Sequence, residues 1–475
     1  MKRHCIVGLL VVGLVLPLWS AGAQEAEGKH PSRFGVVEAY YRPAEAVQLG
    51  AGWERIIFEW AQFQPNNPNE FNTSVIPEEW LINARDAGRE VIGLLKNTPR
   101  WASDSHELGA PPYGLDLSID DPNNLWAAFV KRVVIYYGQK WNIHHWIIYN
   151  EPDLRPGESA WWEFDGNVED YYKMVKVAYL AAKRVDPDAV IHLAGMAWWV
   201  DVVAGRQPYL KRFLEAALDD LEAYDNGFFF DVATVHIYFG TENVWSVILQ
   251  VKSILWHYGL DEKAIWVDET NALPTIDPYT PVSNPMFAVS LEQQSDFIVQ
   301  AAALSLAAQV ERFAIYRLYD DHFVPGQTEP WGLIRADGSL RPGFLTYQTV
   351  INTFSSTVRA HRFFSQRSTL VTLEQPGQTV YVMWARNTDP VRFHVWSASG
   401  DETATQISVL GTPTTLTPAT VEGVEDWWYV LDAPGAVKDS LSNKVVVEGS
   451  PIILVATGGP RAVWVEVDGL QWRLR

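Results

Sequence analysis

Between residues 34 and 355, short runs rich in β-branched and aromatic residues alternate with longer segments of helical period, and the alternation repeats eight times. The runs are residues 34–41, 54–60, 90–96, 145–150, 189–195, 232–238, 264–268 and 312–318. They are nearly continuous in apolar character, as strands buried on both faces must be. Helical segments lie between them at 77–87, 123–138, 168–185, 208–221, 244–258 and 291–309. Pro77 followed by Glu78 and Glu79 suits a first helical turn, and Asp121-Pro122 does the same ahead of the segment at 123–138. The first unit is the weakest, with only a short helix at 44–49. Strict alternation of strand and helix favours a parallel sheet covered by helices, and eight repeats favour its closure into a (β/α)₈ barrel. A last helix is expected near 342–353.

The pattern changes near residue 358. Helical period stops, and short strands alternate with Gly, Pro, Asn and Asp. Strands are expected at 370–373, 379–385, 391–396, 404–410, 427–431, 444–447, 452–456 and 462–467, which reads as a small all-β sandwich. The predicted division is therefore a leader at 1–23, a barrel at 30–357 and a β-sandwich at 358–475. No low-complexity linker separates the last two, so the sandwich is expected to dock on the barrel.

Lys2, Arg3 and His4 precede an apolar run over 5–19, and Ala21-Gly22-Ala23 follows it. This is the layout of a secretory signal cleaved after Ala23. The run is shorter than the ~18 residues of a spanning helix, which disfavours a membrane anchor. The chain has 37 Lys plus Arg against 57 Asp plus Glu, a net charge of −20. Without Lys2 and Arg3 the balance is 35 against 57, or −22. So acidic a surface repels nucleic acid and anionic membranes, and neither is an expected partner. Cys5, the only cysteine, lies within the leader. The exported chain is expected to have no disulfide, no thiol nucleophile and no thiolate metal site. It is expected to be secreted, extracellular or periplasmic, as a monomer or a simple homo-oligomer.

In a (β/α)₈ barrel, catalytic groups lie at the C-terminal ends of the strands. Those ends carry Glu59, Lys96-Asn97, Asn150-Glu151-Pro152-Asp153, Trp198-Trp199, His236-Ile237-Tyr238 and Asp268-Glu269-Thr270-Asn271. Glu151 follows the fourth strand and Glu269 ends the seventh. Cleavage of a glycosidic bond needs such a pair, one carboxylic acid to protonate the leaving oxygen and one carboxylate to attack carbon or activate water. The acid must keep its proton near neutral pH, which requires burial or a neighbouring negative charge. No phosphate-binding Gly-rich loop, Gly-x-Ser-x-Gly elbow or His-Glu-x-x-His motif competes with this reading. The expected chemistry needs no cofactor and no metal.

These motifs resemble those of clan A glycoside hydrolases, the retaining (β/α)₈ glycosidases, and in particular family 39 or a family 5-like enzyme. The resemblance implies that Glu151 of Asn150-Glu151-Pro152 is the acid/base and Glu269 the nucleophile. It implies that Asn150 contacts the sugar 2-hydroxyl, that Arg55 supports the nucleophile, and that His236 and Tyr238 form the recurrent His-x-Tyr pair of the sixth strand. It extends over about residues 34–355 and more loosely over the tail, and it leans towards xylosides or related β-glycosides. One departure stands out: the clan has Thr, Ser or Gly before the nucleophile, and here it is Asp268. Adjacent residues of a regular strand face opposite ways, so only one of Asp268 and Glu269 is expected to point into the mouth, and Glu269 is that one.

The remaining candidates have two readings each. His236 either orients the nucleophile or a sugar hydroxyl, or is a satisfied core histidine. His144, His145 and His192 read as structural. Trp101, Trp198, Trp199 and Trp331 can stack on a pyranose face or simply pack, and Trp331 is preferred because it follows the eighth strand. Trp161-Trp162 either lines leaving-group subsites or pins a loop. Lys96 and Asn97 either bind hydroxyls or rim the barrel, with Asn97 chosen as a sugar-binding residue. Asp320-Asp321-His322 reads as a solvated loop. The expected function is an exported retaining glycosidase acting on β-linked oligo- or polysaccharides. The alternative is a carbohydrate-binding barrel without turnover.

Overall fold

The computed structural model of the protein describes residues 33–105, 107–320, 330–420, 426–467 and 470–475. The leader, and Asp321 and His322, lie outside the described residues. Eight parallel strands close into a barrel in sequence order. They are β1 (Phe34–Val36), β2 (Trp53–Glu59), β3 (Glu90–Lys96), β4 (His145–Ile148), β5 (Val190–Leu193), β6 (Val232–Tyr238), β7 (Ala264–Asn271) and β8 (Arg312–Ile315). The helices are α1 (Pro43–Leu49), α2 (Trp60–Phe63), α3 (Glu78–Asp86), α4 (Leu125–Trp141), α5 (Val168–Val185), α6 (Trp199–Val203), α7 (Tyr209–Ala217), α8 (Thr241–His257), α9 (Leu291–Ala307) and α10 (Pro342–Phe354). None of the described helices is long and apolar enough to cross a membrane.

Alternation along each strand decides what faces the barrel interior. On β2, Trp53 and Ile57 pack inside with Ile92, Leu94, Ile147, Val232, Trp266 and Ala314, while Ile56 and Phe58 pack outside against the helices. Arg55 shares the inward face, and Glu54 shares the outward face, where it is buried and paired with Arg89 at 2.6 Å. The barrel floor is closed by large rings, with Trp53 5.4 Å from Trp266. Gly35 makes room for this, since a Cβ there would come within 2.3 Å of the Trp53 ring. His145 and His192 join the floor, ring nitrogens 2.9 Å apart and the His192 ring edge-on to Trp266 at 4.5 Å. His144 pairs with Asp186 at 2.7 Å. All three are structural, as their position at or below mid-strand implies.

Beyond α10 come two antiparallel sheets. Their strands are β9 (Arg359–Phe364), β10 (Ser368–Gln375), β11 (Gln378–Ala385), β12 (Val391–Ser397), β13 (Ala404–Ile407), β14 (Pro413–Leu416), β15 (Ala419–Thr420), β16 (Trp427–Ala433), β17 (Ile452–Thr457), β18 (Val463–Val467) and β19 (Leu470–Arg473). One sheet has the order β14-β13-β17-β11-β10-β9 and the other β15-β16-β12-β18-β19. The fold is thus a (β/α)₈ barrel followed by a β-sandwich. The central strands β10 and β11 of the first sheet are buried on both faces. Tyr381, Met383 and Ala385 of β11 face the second sheet, and Val380, Val382 and Trp384 join the core of the barrel. That explains the unbroken apolar run of β11. It also explains α9, buried on every side between the barrel and the sandwich strands β9 and β10.

The segment at 444–447 does not form the expected strand. It lies against the barrel helices, where the Thr241 amide donates to the Val446 carbonyl at 3.1 Å and the Glu448 amide to Thr241 Oγ1 at 3.1 Å. Gln300 of α9 donates to the Gly449 carbonyl at 2.7 Å. Val446 and Val447 are buried in the barrel core, and the Val446 carbonyl accepts a helix-terminal amide instead of joining a ladder.

Candidate active site

Glu151 sits in the turn that leaves β4, with a positive φ of 40°. Its amide donates to the Gly195 carbonyl beyond β5 at 3.0 Å. This contact ties two neighbouring strand ends together and turns the carboxyl into the mouth. There Glu151 Oε1 lies 2.7 Å from Nδ1 of His236. Asp153 is buried just behind it and accepts the amides of Ala197 and Trp198 at 3.1 and 2.8 Å. The turns after β4 and β5 are therefore held as one unit.

Glu269 lies opposite, on β7. Its Oε1 is paired with the Arg55 guanidinium and its Oε2 accepts the Tyr238 hydroxyl. Asp268 also faces inward, with Oδ2 3.3 Å from Arg55 Nη1. This corrects the expectation that only one of the pair could point into the mouth. The physical reason is a β-bulge. Val235 of β6 pairs with Val267, but the next residue, His236, pairs with Glu269, so Asp268 is an extra residue in β7. Asp268 keeps the inward face of Ala264 and Trp266, and the bulge re-aims Glu269 to the same side.

His236 joins the two glutamates. Its Nδ1 is also 3.4 Å from Glu269 Oε2, and its Nε2 is 3.5 Å from Asp268 Oδ1. A carboxylate oxygen of Glu151, one of Glu269 and a ring nitrogen of His236 all lie within 4.8 Å of one another. The core reading of His236 is thereby displaced by one in which the ring contacts three carboxyl groups.

Burial pushes the Glu151 carboxyl above the usual range, and the Glu269 charge adds to this, while His236 offsets part of it. Burial alone would also raise Glu269. The charges of Arg55 and His236 and the hydrogen bonds from Tyr238 and Arg55 outweigh it and hold Glu269 below the usual range. Burial opposes a charge on His236, but Glu269 and Asp268 outweigh that and keep its pKa well up. The two glutamates that face each other are thus shifted in opposite directions, Glu151 towards holding its proton and Glu269 towards losing it. Glu151, His236 and Glu269 are close enough to hold a metal ion, which would have to displace any proton from the His236 nitrogen it binds.

Asn150 precedes Glu151, and its Oδ1 is buried with no hydrogen-bond partner among the described residues. Trp331 lies at the same mouth, its ring 4.8 Å from Tyr238 and 5.4 Å from Phe239. Asn271 donates to the carbonyls of Tyr316 and Trp331, fixing the segment after β8 to β7. Asn97 ends β3, half-buried with φ 66°, and its carbonyl accepts the Ala61 amide at 2.9 Å. Lys96 beside it is paired with Glu163 at 2.8 Å.

Among the other tryptophans, Trp101 donates to the Gln64 carbonyl and packs on Trp60. Trp198 is buried and packs into the core, which removes it from the stacking candidates. Trp161 and Trp199 are exposed, while Trp162 packs on Leu154, Ala197 and Val200 and so pins its loop. Asp320 is not solvated. It is buried, accepts the Gly332 amide and pairs with Arg341 at 2.7 Å, because it anchors the segment after β8. The sequence reasoning assigned no role to Asp153 or Gly195. The Asp in Asn150-Glu151-Pro152-Asp153 was the available signal for the first; nothing local marked the second.

No protein-family model matches the chain, and no curated protein matches it in sequence. Its fold is similar to that of solved structures. One is a family 39 glycoside hydrolase from the gut symbiont Bacteroides cellulosilyticus WH2, with a TM-score of 0.64 and 15% identity over 90% of this chain and 81% of that one. A GH39 beta-xylosidase from Caulobacter crescentus gives 0.58 and 13% over 90% and 96%. A GH30 endoxylanase from Clostridium papyrosolvens C71 gives 0.55 and 13% over 90% and 97%.

Proposed function

We propose that this chain is an exported retaining glycosidase that cleaves β-linked oligo- or polysaccharides by double displacement. The observation that carries the reading is the Glu151–Glu269 pair, with an oxygen of each within 4.8 Å and with opposite pKa directions. Retaining enzymes hold their carboxyl groups about 5–5.5 Å apart, and inverting ones leave about 6.5–9.5 Å for a water. Glu269 attacks the anomeric carbon while Glu151 gives its proton to the leaving oxygen, and the C–O bond breaks. Glu151 then takes a proton from water, whose oxygen attacks the anomeric carbon and releases Glu269. The unpartnered Oδ1 of Asn150 is suited to accept a sugar hydroxyl beside the acid. Export rests on the basic head, apolar run and Ala21-Gly22-Ala23 site of residues 1–23.

Proteins of similar fold include a beta-xylosidase and an endoxylanase, so β-xylosides and xylan are the first substrates to try. The test is reducing-sugar release by the purified chain over a panel of β-glycans and aryl β-glycosides, with the anomer of the first product read by NMR. Glu151→Gln and Glu269→Ala run alongside. Release with retention, lost in both variants, is the expected result. Release with inversion, or release surviving in Glu269→Ala, overturns the mechanism. No release with retained glycan affinity would favour the non-catalytic alternative.

A further inference from the structure

The departure at residue 268 places a third carboxylate in the barrel mouth, and its position suggests a use. His236 is faced from β4 by Glu151 and from β7 by Asp268 and Glu269. Tyr238 of its own strand is 6.5 Å away ring to ring. From β5 it meets the backbone at Gly195. Arg55 of β2 lies behind the two β7 carboxylates. His236 Nε2 and Asp268 Oδ1 are both buried, and among the described residues neither has another hydrogen-bond partner. They face each other at 3.5 Å.

We propose that Asp268 is a positioning residue that holds His236 as an imidazolium with its Nδ1–H aimed at the two glutamates. The inference rests on the glycosidase reading and deepens it. Charge balance argues for it. Three carboxyl groups share the pocket with one fixed cation, Arg55. A proton on His236 and a proton on Glu151 bring the group to neutrality, the least costly state for a buried cluster. If Asp268 were uncharged, the same neutrality would need a neutral His236.

The imidazolium then serves the first chemical step. As Glu269 Oε bonds to the anomeric carbon, it gives up its negative charge. As Glu151 Oε–H protonates the leaving oxygen, it acquires one. The charge therefore moves from a carboxylate 3.4 Å from Nδ1 to one 2.7 Å from it. A fixed cation between them stabilises the anion that forms on Glu151, without moving itself. This gain matters most where the leaving group is poor and the proton transfer is well advanced.

The test uses the full chain labelled with ¹⁵N-histidine, in wild type, Asp268→Asn, Asp268→Glu and His236→Asn. The chain has 11 His, and the resonance missing from His236→Asn assigns the ring. Wild type is expected to show both ring N–H groups at neutral pH. Asp268→Asn is expected to titrate about 1–3 pH units lower, and Asp268→Glu to recover part of the shift. A neutral His236 ring in wild type at pH 7 overturns the proposal, and needs no Asp268 variant to fold. An unchanged titration in Asp268→Asn overturns it equally. Kinetically, a less charged His236 leaves Glu151 holding its proton to higher pH. The alkaline limb of kcat/KM should therefore move up in Asp268→Asn, with the larger rate loss on the poorer leaving group. A purely structural role would lower the rate without moving the limb, and that result also overturns the proposal. If wild type hydrolyses no substrate, the glycosidase reading fails, while the histidine spectra still decide the role of Asp268.

Discussion

Gly195, just beyond β5, lies directly against the imidazole of His236: a Cβ at Gly195 would come within 1.9 Å of Nε2. The Gly195 carbonyl also accepts the Glu151 amide, so this residue sets the position of the acid and of its neighbouring ring together. Gly195→Ala must push His236 away from Asp268 or distort the turn after β4. Overpacking of this kind costs about 1–3 kcal/mol. We expect that loss in denaturant unfolding, together with a fall in kcat/KM. Wild-type stability and rate in Gly195→Ala would show that the ring has room to shift.

Arg55, reaching across from β2, pairs with two consecutive carboxylates of β7. Arg55→Met would leave Asp268 and Glu269 buried together without it. Removing one partner of a buried ionic group costs about 3–5 kcal/mol, because the remaining charge is stranded. We expect that destabilisation by chemical denaturation near neutral pH. It should shrink as pH falls, since protonating the stranded carboxyls relieves the repulsion.

The opposite shifts of the two glutamates predict a bell-shaped pH profile for kcat/KM. Its acid limb follows Glu269, held below the usual carboxylate range, and its alkaline limb follows Glu151, held above it. Tyr238→Phe removes a hydrogen bond that favours ionised Glu269. The acid limb should then move to higher pH, and the alkaline limb should move much less. A shift of the alkaline limb alone would contradict the assignment. Glu151→Gln should lose about 10²–10⁴-fold on poor leaving groups and lose its alkaline limb.

Asp153 couples stability to pH. Burial, then the Glu151 charge, pushes its carboxyl up to about 7, against the amides of Trp198 and Ala197. A folded-state pKa raised above the unfolded value means the folded protein binds the proton more tightly. This contribution is fully present below the unfolded pKa and is lost as pH rises through about 7. Asp296, hydrogen-bonded by Ser450 across the barrel–sandwich contact, is also raised to about 7 by burial and has the same sign. Unfolding free energies of wild type and Asp153→Asn, taken from pH 5 to 9, should differ with pH. The variant should lose less stability over that range. Parallel curves would remove Asp153 from the account.

The sandwich completes the barrel's own core. Trp384, Val380 and Val382 of β11 and Val446 and Val447 of the docked segment belong to it, and α9 has no solvent-facing side. A chain ending at residue 357 would expose that surface. Large exposed apolar patches drive association. We expect the truncated barrel to aggregate or to lose its cooperative transition, as read by light scattering and thermal unfolding. A soluble, cooperatively folding truncated barrel would show that α9 tolerates exposure.

Much of this was legible in the chain itself. Eight apolar runs spaced by helical segments specify a closed parallel sheet, because period and length act locally and are written in each segment. Glu151 and Glu269 were visible because strand ends in this architecture converge on one mouth, whatever the sequence distance between them. The strand ends were less exact: β4 and β5 stop sooner than their apolar runs, since pairing ends where the barrel opens.

Other features depend on contacts between distant residues, and no local signal carries them. Strict alternation excluded Asp268 from the mouth, and only the pairing of β7 with β6 revealed the bulge that admits both carboxylates. The segment at 444–447 has a strand's composition, yet the barrel helices bury it first. The raised pKa of His236 arises from three carboxyl groups, one in the turn after β4 and two on β7. The sequence by itself determined the barrel, the sandwich and the pair of glutamates, since periodicity and residue type are local properties. Tertiary structure alone decided which neighbours each buried charge meets, because electrostatic energy depends on distance and burial and not on position along the chain.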